Sequence, residues 1–200
     1  MVEQQAEIPV GCRFESGAFS FCFYMEKHNF RKEKIGMEKS VYIHYGAKSF
    51  DPGKGFPIHN QENWPKPKGG LWGSREMASF GWKDWCECEN FRKCDISDAF
   101  RFILRDGAKV GMISCMADLK KLPVRKCSRQ SLWQVLLDFE ECLHEGYDAI
   151  ELCWYGEEYR ELAADDMHFA LYGWDCDSIV VLKPSAVIPV LDNPQISQIL

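Results

Sequence analysis

The run Ala99 to Ser114, AFRFILRDGAKVGMIS, narrows the fold class more than any other stretch of the chain. Ala99 to Leu104 alternates apolar and polar residues, Asp106 and Gly107 supply a turn, and Ala108 to Ser114 resumes a β-prone pattern. This predicts two strands joined as a hairpin. Other strand candidates follow the same style. Ser40 to Tyr45, SVYIHY, is β-branched and aromatic and closes on Gly46, Leu71 and Trp72 follow Gly69 and Gly70, and Tyr147 to Tyr155 and the wholly apolar Ser178 to Leu182 complete the set. In the tail KPSAVIPVL, Pro184 and Pro189 limit further pairing. Helices are predicted between these groups. Arg75 to Phe91 follows Ser74 as an N-cap, and Asp118 to Leu122 stops at Pro123. Ser131 to Glu145 carries Leu132, Val135, Leu136, Phe139, Cys142 and Leu143 on one face, with Gly146 as its C-cap. Met167 to Trp174 fits either state. Strands outnumber helices and pair through short turns, which is an α+β pattern and not a doubly wound parallel sheet.

Between the first two strand candidates, Ala47 to Gly70 is dense in Gly, Pro, Asn and Lys and keeps no period, so it is expected to be an irregular binding loop. The 200 residues, 46% hydrophobic, suit one core. A strongly β-prone run starts just after Met37, so residues 1–36 are expected to be an N-terminal extension and residues 37–200 a single domain. The chain has 24 basic and 30 acidic residues, a net charge of −6, which gives no general field for duplex DNA or an anionic membrane. The basic run Lys27 to Lys34 reads as a solvated segment. Ala18 to Met25 is too short to span a bilayer and lacks the flanks of an export signal, so the expected location is the cytoplasm. There the ten scattered cysteines would be reduced. Cys86, Cys88 and Cys94 cluster, but no second pair follows at zinc-ligand spacing, and no metal is expected.

None of the standard dinucleotide, phosphate-loop, zinc-protease or nucleophile-elbow motifs occurs. Three separated pieces carry more. His44 in YIHYG is either a satisfied histidine or a hydrogen-bonding group at the end of a strand, beside a glycine that lets a ligand approach. KPKGGLWGS, followed by FGWKDWCE, offers tryptophans that either pack the core or wall a heteroaromatic ring. In WDCDSIVVL, Asp175 and Asp177 precede an apolar strand, either as a turn or as a carboxylate at a cleft. Glu151, Glu157 and Glu158 read as solvated surface carboxylates.

In order and content these pieces resemble the ADP-ribosyltransferase fold of the diphtheria-toxin and poly(ADP-ribose) polymerase type, over about Ser40 to Val190. The resemblance implies a mixed, mostly antiparallel split β-sheet with flanking helices. It also implies cleavage of the nicotinamide–ribose bond of NAD, with ADP-ribose passing to a protein or nucleic-acid acceptor. Asp177 would stand where the family has its glutamate, stabilising a cation-like sugar transition state. His44 would bind a ribose. Tyr45, Gly46, Gly70, Trp72, Ser74, Trp82 and Trp85 would surround the dinucleotide, with a tryptophan in place of the family's stacking tyrosine. A nucleotide-binding or protein-interaction module without chemistry is the alternative on the same fold.

Overall fold

The computed structural model describes residues 39–62, 64–127, 135–153 and 166–190. The expected boundary at Met37, the basic run, the apolar island Ala18 to Met25, Glu157 and Glu158 lie outside them. The described chain is α+β, and its sheets are mostly antiparallel. Strands β1 (Tyr42–Tyr45), β4 (Leu71–Arg75), β5 (Ala99–Leu104), β6 (Val110–Ile113), β9 (Ala149–Leu152), β10 (Ser178–Val181) and β11 (Val187–Val190) form a seven-stranded sheet, in the order β11-β5-β1-β4-β10-β9-β6. Two small ladders pair β2 (His59–Gln61) with β3 (Trp64–Lys68) and β7 (Val124–Lys126) with β8 (Val135–Leu137). The helices are α1 (Trp82–Cys88), α2 (Met116–Leu119) and α3 (Phe139–His144). Among the described residues, no helix is long and apolar enough to cross a membrane.

β9 and β10 lie inside the sheet and are covered on both faces. Ile150, Leu152, Val180 and Leu182 join one apolar cluster with Ile113, Phe139 and Trp174, while Ala149, Ile179 and Val181 join another with Tyr42, Leu71 and Phe102. This double burial explains why SIVVL is apolar throughout and does not alternate.

Four expectations need correction. β5 and β6 are not a hairpin, because β5 pairs with β1 and β11 while β6 runs parallel to β9 at the far edge. A two-residue turn signal between two strands does not oblige them to pair when each has a better-matched apolar neighbour elsewhere. The helix expected over Ser131 to Glu145 begins only at Phe139, and the described residues before it, Val135 to Leu137, form β8. Asp138 caps α3 by accepting from the Glu141 N–H at 3.0 Å, and Asn60 Oδ1 accepts from the Phe139 N–H at 2.9 Å. That start signal outweighs the apolar period upstream. The irregular loop contains the β2–β3 ladder. In WPKPK the prolines are buried and the flanking Trp64 and Lys68 exposed, which a two-stranded ladder tolerates because its outer side needs no donor. Pro189 does pair, opposite Phe102, but on the edge strand β11, where a missing N–H costs least.

Candidate functional site

β4 is shared between two halves of the sheet. Its residues Ser74 and Arg75 face Ile43 and Tyr42 of β1, and its residues Leu71, Trp72 and Gly73 face Val181, Val180 and Ile179 of β10. Gly73 stands at the changeover, where an added Cβ would lie 3.0 Å from the Ile43 carbonyl oxygen and 3.1 Å from the Phe102 ring. His44 Nδ1 meets the Trp72 carbonyl there at 2.6 Å. A carbonyl only accepts, so Nδ1 carries the proton and Nε2 is the unprotonated nitrogen. Burial holds the imidazole pKa below its usual value, which keeps the ring neutral at pH 7.

Ser74 is the junction of the region. It is 2% exposed, and its Oγ donates to the Asp177 carbonyl at 2.7 Å and accepts from the Trp82 N–H at 2.9 Å. The Asp177 N–H donates in turn to the Phe80 carbonyl at 2.9 Å. A single hydroxyl therefore ties β4, the entry to β10 and the first turn of α1. Ser74 does serve a helix start, as its sequence position suggests, but from a strand eight residues upstream. The N-cap itself is Gly81, whose N–H donates to Asp84 Oδ2 at 2.8 Å. Asp177 is 8% exposed, and its charge adds to the burial that raises the Cys153 and Cys176 thiols.

A cavity of about 220 Å³ opens between the sheet and α1, lined by Ile43, Tyr45 and Ser74 on one side and by Gly81, Trp82, Lys83 and Asp84 on the other. Tyr45, Ser74 and Trp82 thus meet as expected from the sequence, and Asp177 joins them through Ser74. The alternation of a strand places His44 on the opposite face of β1 from Ile43 and Tyr45, where it packs against Phe100 at 5.2 Å. It reaches the region through the Trp72 carbonyl.

The tryptophans separate into two groups. Trp82 and Trp85 stack at 5.0 Å, with Phe91 against both and the Arg92 guanidinium 5.9 Å over Trp82. Trp72 instead meets Trp174 edge-on at 4.9 Å, with Lys66 Nζ 5.2 Å from its ring. Gly46, at φ +106°, donates to the Asp98 carbonyl at 2.7 Å and lies beside Arg92. Gly70, at φ +77°, donates to the Gly55 carbonyl at 2.6 Å, and a Cβ there would lie 2.6 Å from Val180. Its glycine serves close packing.

The structure adds a network that the sequence reading passes over. Glu151, expected at the surface, is 2% exposed. Arg75 donates to it twice, from Nε at 2.6 Å and from the terminal guanidinium nitrogen at 2.9 Å, and the Tyr42 hydroxyl donates at 3.1 Å. Burial raises the Tyr42 phenol, with Glu151 adding to it, while the hydrogen bond from Glu151 raises Arg75. The available signal was a glutamate inside the apolar run AIEL, because a charge on a strand covered on both faces needs a buried partner. Asp148, at the start of the same run, is also buried and accepts from Arg105 and the Lys109 N–H, each at 2.8 Å.

Among the described residues, no group of three or more His, Cys, Asp or Glu is placed to hold a metal ion. Comparison of the chain with protein-family models, with curated proteins and with solved structures gives no match.

Proposed function

We propose that this chain is an NAD-utilising, ADP-ribosyltransferase-like protein. The observation that carries the reading is the convergence of three distant sequence pieces. YIHYG, GGLWGS and the entry to SIVV occupy β1, β4 and β10, which are neighbours in that order in the sheet. They are cross-linked by His44 to the Trp72 carbonyl at 2.6 Å and by Ser74 to the Asp177 carbonyl at 2.7 Å. The cavity beside Ser74 and Trp82 is smaller than the roughly 300–1,000 Å³ of sites that enclose drug-sized ligands, which suits a single ring and not a whole dinucleotide. In this reading the ring is nicotinamide and Trp82 is its flat wall. The rest of NAD lies along β1 towards His44. The Asp177 carboxylate stabilises positive charge developing on the ribose as the nicotinamide leaves.

A second reading, a nucleotide-binding module without chemistry, draws on the same site. Asp177 is only 8% exposed and is anchored through both its N–H and its carbonyl, which favours a structural carboxylate.

Calorimetric titration of NAD into the protein, followed by chromatography for free nicotinamide, separates the two. The catalytic reading expects saturable binding and slow nicotinamide release. It also expects Asp177→Asn to lower release by about 10²-fold or more, as loss of one preorganised transition-state contact does, with NAD affinity within a few-fold. Unchanged release in that variant removes Asp177 from catalysis. Binding without release selects the module, and no binding refutes both.

A further inference from the structure

The cysteine cluster flagged in the sequence lies beside the aromatic wall. Cys86 is in α1 and is 1% exposed, whereas Cys94 is half-buried in the irregular stretch that follows. The two thiols are hydrogen-bonded to each other, and the Arg92 guanidinium also reaches Cys86. The segment between them folds back on α1 through Asn90 at φ +49°, and the Phe91 N–H donates to the Cys86 carbonyl at 3.0 Å. The Phe91 ring packs against Trp85 at 5.2 Å, and Arg92 donates to the Tyr45 carbonyl at 3.0 Å while lying over Trp82. All described cysteines are free. Two thiols already in contact, one accessible and one shielded, joined by a segment that holds the cavity's tryptophan, make a pair suited to oxidation.

We propose that Cys86 and Cys94 form a reversible disulfide under peroxide, a redox clip that fixes the Phe91 and Arg92 segment across the Trp82–Trp85 stack. The half-buried Cys94 thiol reacts first. Its sulfur displaces one oxygen of hydrogen peroxide, giving a sulfenic acid and one water. The Cys86 sulfur then attacks the Cys94 sulfur, forming the S–S bond and breaking the S–O bond, and the hydroxyl leaves with the Cys86 proton as a second water. Two thiols lose two electrons, and one peroxide becomes two waters. A dithiol reductant reverses the bond. The inference does not rest on NAD chemistry, because its readouts involve no nucleotide.

The test uses the full chain, reduced with dithiothreitol and then exposed to limiting hydrogen peroxide. Thiols counted in denaturant fall from ten to eight. Peptide mapping finds the Cys86 and Cys94 peptides linked at about 2 Da below their summed mass. Tryptophan emission shifts on the same time course, and dithiothreitol restores both thiols and emission. In Cys94→Ser, peroxide leaves the emission unchanged. In Cys86→Ser, Cys94 stops at the sulfenic acid and is captured by dimedone. The inference is overturned if wild-type mapping joins Cys94 to another cysteine, if it joins neither residue, or if Cys94→Ser keeps the emission shift. The wild-type mapping stands even if a variant folds poorly.

Discussion

Replacing Arg75 by methionine tests whether Glu151 is a buried, paired charge. The Glu151 side chain is 3% exposed and that of Arg75 is 23% exposed. The substitution keeps most of the packed stem but removes both guanidinium contacts, leaving the carboxylate with only the Tyr42 hydroxyl at 3.1 Å. Breaking a buried pair by deleting one partner costs about 3–5 kcal/mol. At this chain length that corresponds to a fall in Tm of about 2–4 °C for each kcal/mol. The sign of the pH dependence follows from the charge left behind. Without Arg75, desolvation raises the Glu151 pKa above its unfolded value near 4.3. Between those two values the folded state holds more protons than the unfolded state, so stability falls as pH rises. Urea unfolding of wild type and Arg75→Met at pH 5 and pH 8 is therefore expected to show the larger deficit at pH 8. Arg75→Met with Glu151→Met, which removes both charges, should recover most of the loss. A deficit below about 1 kcal/mol at both pH values, where a broken buried pair should cost several, would mean that Glu151 is solvated in solution.

Other consequences follow from the same geometry. Ser74→Ala strands the Trp82 N–H and loses the tie to the Asp177 carbonyl, so it should cost about 1–3 kcal/mol by thermal or urea unfolding. An unchanged melting curve would dismiss Ser74 as the junction. His44 is held neutral by burial, its pKa lowered from the usual value, so the unfolded chain binds a proton that the folded chain refuses. Its contribution to stability is present above about pH 6.5 and is lost as pH falls. His44→Gln, whose amide can still donate to the Trp72 carbonyl, should flatten that part of the stability profile between pH 7.5 and 5.5. Parallel profiles for the two proteins would refute the assignment.

Much of the strand content was legible because the relevant signals are local. Tyr42 to Tyr45, Ala99 to Leu104 and Ser178 to Val181 are β-branched or aromatic runs bounded by turn residues, and each is a strand within a residue or two of the expected limits. Partnership was not legible. The Asp106 and Gly107 turn says that the chain can reverse there, but Ala99 to Leu104 finds Val187 to Val190 and Tyr42 to Tyr45 instead, more than fifty residues away on either side. Val135 to Leu137 shows the opposite error. Its apolar spacing continues a helical period, and only Asn60, 79 residues upstream, helps fix the helix start one turn later. The Ser74 hydroxyl illustrates the same limit within the site, since a capping residue was visible but its acceptor, the Asp177 carbonyl, is 103 residues away.

The amino-acid pattern by itself determined which segments are extended, where the chain turns and which residues are rich enough in chemistry to mark a site. Backbone preference and side-chain period act over a few residues, and those residues are adjacent in the chain. The tertiary structure decided the order of strands, the burial of Glu151 against Arg75 and the separation of Trp72 from the Trp82–Trp85 pair. Each depends on which distant surfaces meet, and desolvation has a magnitude only once they have met.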